Sequence, residues 1–296
     1  MSSSLLSRQK VLLSFLALLE RSCTKLFLLK NMFLLCEEEL HKNIYDFYPY
    51  QRGPFSQVLY ADLRSLQQRG YLQESKNDLL LTQNVHELVE EMDSDILYAL
   101  ANVIRQYGKI KDNVLLEQVY HRHPYYAIRN PLHKGKYTKY DPKHDPKLQK
   151  ATIFSIGYEG KTVDAFLNRL IQNNVHVLVD IRNNPRSMKF GFSFPKLADY
   201  CTASGIEYKG MPQLGIESHL RQELNTDEDY KKLFDTYEKT TLANQDAAID
   251  ELADMLKAGK RIALLCFEAD VCHCHRSRTS AKLASRCRNT YELVHL

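Results

Sequence analysis

Between Arg129 and Lys150 the chain reads Arg-Asn-Pro-Leu-His-Lys-Gly-Lys-Tyr-Thr-Lys-Tyr-Asp-Pro-Lys-His-Asp-Pro-Lys-Leu-Gln-Lys. Pro131, Pro142 and Pro146 each lack a backbone donor and push the preceding residue out of helical geometry. Almost no aliphatic side chain is present to fill a core. No single core can therefore run through this stretch, and it marks a domain boundary. The length of 296 residues agrees, at ~100–200 residues per domain. We expect a helical domain at residues 1–125, a basic linker at 126–150 and an α/β domain at 151–296.

Charge is as uneven as the prolines. Residues 126–150 carry 7 Lys and Arg against 2 Asp and Glu, a net of +5. Residues 1–125 come to −1 (14 against 15) and residues 151–296 to 0 (19 against 19). A short basic stretch can contact phosphate, with Lys134, Lys136 and Lys139 as the cations and Tyr137 and Tyr140 between them to stack on bases. The plainer reading is a solvated connector. Seven cysteines, an odd number, argue against a disulfide framework and for a reducing cytoplasm. Val11 to Leu19 is apolar, but Glu20 and Arg21 interrupt it, so we expect neither a membrane span nor a signal peptide.

In the first half, Lys10–Leu19 and Leu26–Leu35 read as apolar helices. Tyr48–Pro54 reads as a loop by its Pro and Gly content. Phe55, Leu59, Leu63 and Leu66 then fall on one helical face, and Gly70 supplies a C′ residue. Tyr71–Glu74 and Leu79–Thr82 flank Lys76-Asn77-Asp78, a hairpin by composition. A further helix is expected from about Val85 to Arg105. Helices followed by a hairpin give the order of a winged helix. Tyr48 to Leu72, with Gly53-Pro54-Phe55-Ser56, resembles the winged-helix units of the Panacea type. In a DNA-binding winged helix, Ser56–Gln68 is the recognition helix, with Gln57, Arg64, Gln67 and Gln68 exposed. The negative charge of this half favours a protein-interaction module instead.

In the second half, short apolar runs alternate with helical patterns. Strands are expected at Thr152–Ile156, Val175–Ile181, Ile206–Lys209, Ile262–Phe267 and Tyr291–His295. The fold class is α/β: a three-layer, mostly parallel sheet with helices on both faces, preceded by the mainly α winged helix. Ligands of such sheets bind beyond the carboxyl ends of the strands. That edge collects Tyr158, Glu159, Asp180, Arg182, Arg186, Ser187, Cys266, Glu268 and the loop Cys272–Arg276. Ser155-Ile-Gly-Tyr-Glu-Gly160, Asp180-Ile-Arg-Asn-Asn-Pro-Arg-Ser187, Gly205-Ile-Glu-Tyr208, Leu214-Gly215, Cys266-Phe-Glu268 and Cys274-His-Arg276 resemble, in order, the family called domain of unknown function 488. That resemblance implies the fold and the site, and no particular reaction.

Three chemistries fit the edge. In the first, Arg182, Arg186 and Arg276 clamp phosphate, with Tyr158, Ser187 and His275 beside it at a helix N-terminus. Glu159, Asp180 or Glu268 then acts as base or nucleophile on a glycosidic or phosphodiester bond. The alternative is internal ion pairing of Asp180 with Arg182 or Arg276. In the second, Cys274 at a helix start beside His275 and Arg276 is a nucleophile of lowered pKa. Its spacing to Arg276 is too short to wrap an anion as phosphatase loops do. Cys266 reads as a small apolar strand residue. In the third, Cys272 and Cys274 share zinc with a distant ligand, but no Cys-x-x-Cys supports it, so we assign no metal and no cofactor. The expectation is an enzyme that hydrolyses nucleic acid or a nucleotide in DNA repair or defence. From a different class, the same edge is a non-catalytic sensor of a nucleotide or modified base coupled to the winged helix. Nucleic acid or a nucleotide is the expected partner, with a protein partner or homo-oligomer left open and no membrane contact.

Overall fold

The computed structural model describes residues 4–296 except 41, 43, 134, 138–141 and 221–223, and no side chain at 133 or 218. The chain divides into two compact units, residues 1–140 and 141–296. No described helix is long and apolar enough to cross a membrane.

The first unit runs α1 (Ser7–Leu19), β1 (Cys23–Thr24), α2 (Lys25–Leu34), β2 (Tyr48–Tyr50), β3 (Gly53–Phe55), α3 (Gln57–Gln68), β4 (Leu72–Ser75), β5 (Asp78–Leu81), α4 (His86–Glu90), α5 (Ser94–Tyr107) and α6 (Asp112–Arg122). β1 closes on β5, which pairs with β4, so the sheet order is β1-β5-β4. Helix, strand, helix, helix and a two-stranded wing whose second strand meets the first strand is winged-helix topology. Leu59, Leu63 and Leu66 of α3 are buried, as their spacing predicts. Gly70 has φ +74°, and Tyr71 N–H returns to Leu66 O (2.9 Å) while Gly70 N–H returns to Gln67 O (3.0 Å), a Schellman stop.

Two expectations for this unit change. Tyr48–Phe55 is a short antiparallel pair, β2 with β3, rather than loop; its three-residue strands are too short to show alternation. The single helix expected over 85–105 is two, because the Asp93 carboxylate accepts from Asp95 N (2.9 Å) and Ile96 N (3.4 Å) and starts α5 afresh.

The second unit runs β6 (Thr152–Gly157), α7 (Val163–Gln172), β7 (Val177–Asp180), α8 (Lys196–Ala203), β8 (Glu207–Gly210), α9 (Asp227–Lys239), α10 (Asp246–Lys257), β9 (Ile262–Cys266), α11 (Arg276–Arg286) and β10 (Glu292–His295). The five strands pair in parallel in the order β10-β6-β9-β7-β8. β6, β7 and β9 are buried at every residue, which is why each reads as an unbroken apolar run. One face packs Ile153, Val177, Val179, Ile262 and Leu264 against Phe234 and Tyr237 of α9, Ile249, Leu252 and Leu256 of α10 and Leu283 of α11. Phe154, Ile156, Leu178, Ala263 and Leu265 point to the other face by strand alternation. The buried Phe166, Leu170, Leu197 and Cys201 belong to the helices outside that cluster, α7 and α8.

Among the described residues of the expected basic linker, several make contacts within the unit they belong to. Lys136 pairs with Glu117 of α6 (3.1 Å), and the Tyr137 ring lies 5.1 Å from that of Tyr120. Asn174 donates to Leu148 O (3.1 Å) and Arg261 to Lys150 O (2.6 Å). Tyr137 is thus packed against the first unit, whereas Lys136 forms an exposed ion pair that leaves its side chain half in solvent. Lys134, Lys139 and Tyr140 lie outside the described residues.

Candidate functional site

The carboxyl ends of β6, β7 and β9 lie side by side, with Gly157 opposite Cys266 and Asp180 opposite Leu265. Three loops leave this edge: 158–162 after β6, 181–195 after β7 and 267–275 after β9. Every site residue expected in the second half sits on them or at their roots.

Asp180 and Arg182 form the polar centre, and both are buried, at 1% and 5% exposure. Arg182 Nε donates to Asp180 Oδ1 (2.8 Å), its Nη2 to Oδ2, and its backbone N–H to Oδ1 (3.1 Å). Tyr208 of β8 donates a short hydrogen bond to Oδ2. The remaining nitrogen of Arg182 reaches Tyr158 Oη (3.1 Å) and Phe192 O (3.0 Å). Burial alone would lower the pKa of Arg182, but the hydrogen bond and charge of Asp180 outweigh it and raise it. Burial and the Asp180 charge raise that of Tyr208. This is a closed ion pair with its hydrogen-bonding capacity turned inward.

Arg276 is likewise a strut. At 2% exposure it donates to Ser155 Oγ (2.8 Å), to Glu268 O and to Ala269 O (2.8 Å), tying α11 to β6 and to the loop after β9. Glu159 reinforces that tie: its N–H meets Phe267 O (2.9 Å) and its Oε2 accepts from Ala269 N (2.9 Å). The expected phosphate clamp is therefore corrected. A buried guanidinium must satisfy its donors locally, and Arg182 and Arg276 do so with protein oxygens. Ser187 is held within its own loop by Ser193 and by Tyr158 Oη (3.3 Å). Arg186 alone of the three arginines is exposed, and its guanidinium bonds to no described residue.

Cys274, expected as a nucleophile at a helix start, is buried at 1% exposure. Instead Cys266, Cys274 and His275 bring two sulfurs and a ring nitrogen within 4.8 Å of one another. Cys266 Sγ lies 3.5 Å from His275 Nδ1 and 3.1 Å from Glu268 Oε2. His275 Nε2 faces Ile181 O at 3.2 Å. The hydrogen bond with Cys274, then burial, raises the pKa of Cys266 well above that of a free thiol. Cys272, the expected zinc partner of Cys274, is exposed and stands outside this cluster, and His273 pairs with Asp227 (2.9 Å).

Residues 162–283 match the family model described as Domain of unknown function DUF488. The DUF488 match opens at Thr162, whose side chain caps α7 by accepting from Ala165 N (3.1 Å), and takes in β7, β8, β9 and most of α11. It includes Asp180, Arg182, Cys266, Glu268, Cys274, His275 and Arg276. β6, with Tyr158 and Glu159, lies ahead of it. No family model matches the winged-helix unit. No curated protein and no solved structure gives a significant match.

The sequence reading missed the outer layer of this site. Phe190, Phe194 and Phe267 are exposed at 44%, 50% and 42%, and Met188 is fully exposed. Phe267 meets the ring of Tyr158 edge-on (5.2 Å), and Tyr158 stacks on Phe192 (4.3 Å). Phe194 lies against Tyr208 (5.6 Å). The exposed rings Phe267 and Phe194 are thus joined by Tyr158, Arg182, Asp180 and Tyr208. Lys189 donates to Tyr158 O (2.9 Å) beneath them. Burial, and then the charges of Arg276, Arg169 and Lys189, lowers the pKa of Lys161. The available signal was phenylalanine at every second position of Phe190–Phe194, of which Phe192 is buried and Phe190 and Phe194 are exposed.

In the first unit, Arg64 and Gln68 are exposed on α3, whereas Gln57 bonds Tyr48 Oη (2.8 Å) and Gln67 bonds Glu74 (3.3 Å). Arg64 is the single Lys or Arg of that helix.

Proposed function

We propose that the second unit is a binding module for nucleic acid or a nucleotide, which contacts its ligand through the edge formed by the loops 158–162, 181–195 and 267–275. The observation that carries this reading is the exposure of Phe190, Phe194 and Phe267 beside Arg186, Lys161 and Lys189. Large exposed apolar groups clustered at one place are the informative exception on a protein surface. Aromatic faces interleaved with cations fit unstacked bases and their phosphates. The winged helix then serves as the second, signalling or docking, half of the protein. The closed Asp180–Arg182 pair supports binding over catalysis, because a general base needs a carboxylate free to take a proton.

The test is fluorescence anisotropy on the full chain with labelled single-stranded DNA, single-stranded RNA, duplex and free nucleotides. Phe190→Ala and Phe267→Ala should each cost about 1–3 kcal/mol if the ring stacks on a base. Arg186→Glu should reduce the slope of log affinity against log salt by about 0.7 on a single strand. Unchanged affinity in all three variants, or no binding at all, removes the reading.

A hydrolase acting on the same ligands is favoured by one observation. Glu159 is exposed on this edge and enters no ion pair with a described residue. It is then the general base, and Glu159→Gln should abolish product formation from a bound oligonucleotide or nucleotide while sparing affinity.

A further inference from the structure

We propose that Cys266, Cys274 and His275 hold a zinc ion that locks the 267–275 loop onto the carboxyl edge of the sheet. The inference rests on the donor set and its geometry, and holds whether the edge binds or hydrolyses its ligand. Two sulfurs and an imidazole are the donors that select zinc among the common divalent ions. Ligands about 2.3 Å (sulfur) and 2.0–2.1 Å (nitrogen) from a tetrahedral ion stand about 3.5 Å apart as a sulfur–nitrogen pair and about 3.8 Å apart as a sulfur pair. Cys266 Sγ and His275 Nδ1 are 3.5 Å apart, and all three donors lie within 4.8 Å of one another.

The surroundings match as well. A ligating histidine characteristically donates its second ring N–H to a carbonyl or carboxylate, which fixes the tautomer. His275 Nε2 faces Ile181 O at 3.2 Å, leaving the Nδ1 lone pair toward Cys266. Three protein donors leave the fourth tetrahedral position to a further ligand, and Glu268 Oε2, 3.1 Å from Cys266 Sγ, stands outside the group of three. Cys266 ends β9, Cys274 and His275 precede α11, and Ile181 follows β7. One ion thereby joins both ends of the loop that carries Phe267 and Glu268. Binding displaces the two thiol protons to solvent, and the two thiolates balance the charge of the ion. A turn closed by Cys274 N–H to Val271 O (3.3 Å) carries Cys274 inward.

The experiment is metal analysis of the full chain, purified without chelator on a tag that binds no metal, followed by exchange with cobalt. Elemental analysis should find a single zinc per chain. The cobalt form should show the visible bands of tetrahedral cobalt and a sulfur-to-cobalt charge-transfer band in the near ultraviolet. Cys266→Ser and Cys274→Ser should lose zinc, whereas Cys272→Ser, Cys287→Ser and His273→Ala should retain it. Should the first two variants fail to fold, the wild-type cobalt spectrum decides alone. Wild-type protein that takes up neither zinc nor cobalt, a Cys266–Cys274 disulfide in freshly purified protein, or zinc lost through Cys272→Ser overturns the assignment.

Discussion

Gly157 and the carbonyl of Glu268 meet so closely that a Cβ on Gly157 would stand 1.8 Å from that oxygen and 3.0 Å from Arg276 Nη1. The last residue of β6 is therefore a glycine so that the loop after β9 can lie across it. The obstacle is backbone held in place by Arg276 and Glu159, and it cannot swing aside as a flexible side chain would. Gly157→Ala should destabilise the second unit by about 1–3 kcal/mol, as overpacking does. Urea denaturation of the full chain measures it. Stability equal to wild type would mean that the 267–275 loop yields freely.

Arg276→Lys keeps the charge and removes the planar fork that reaches three acceptors. Each lost hydrogen bond from a charged group is worth about 1.5–3 kcal/mol. We expect a marked fall in melting temperature by calorimetry. A ligand-clamping role predicts weakened binding with an unchanged melt, and the two outcomes are separable in one protein preparation.

Asp180→Asn leaves the buried Arg182 without its counter-charge and Tyr208 without its charged acceptor. Removing one partner of a buried pair costs about 3–5 kcal/mol. The double variant Asp180→Asn with Arg182→Met removes both charges and should recover much of that loss. Chemical denaturation of the three proteins tests the cycle. A double variant no more stable than the single would show that the pair is not the dominant partnership of either residue.

Lys30 is wholly buried in the first unit, where its Nζ donates to Pro54 O (2.7 Å). Burial, and then the charge of Arg52, lowers its pKa well below 10.5. Below the lowered pKa both folded and unfolded chains carry the proton, and the fold bears the full cost. Between that pKa and 10.5 the unfolded chain alone holds the proton, so stability rises with pH, by at most about 1.4 kcal/mol per unit. Lys30→Met should abolish that slope. Urea midpoints of both proteins across the alkaline range check it, and parallel curves would sink the argument.

The second unit was legible because its strands are buried on both faces. Ile262–Cys266 and Val177–Asp180 read as solid apolar runs, and parallel pairing then brings their carboxyl ends together. The residue types at the site were legible for the same reason; their partners were not. Asp180 and Arg182 are two positions apart, and only the turn after β7 decides that they grip each other rather than a ligand. Cys266 sits in an apolar strand eight residues ahead of Cys274, and nothing local shows that the intervening loop folds back. In the first unit the two-residue strand Cys23–Thr24 carries no periodicity of its own and is defined by pairing with β5.

The sheet order has a consequence for how the second unit is made. β9 lies between β6 and β7, yet it follows β6 by about a hundred residues. Until Ile262–Cys266 leave the ribosome, β6 and β7 each lack a neighbour on the side β9 will fill. Both then present an apolar strand with unpaired backbone, the kind of edge that recruits foreign strands. The segment that ends this exposure is the one that leads directly into Phe267, Glu268, Cys274 and Arg276. Completion of the core and assembly of the candidate site are therefore a single late event in the life of the chain.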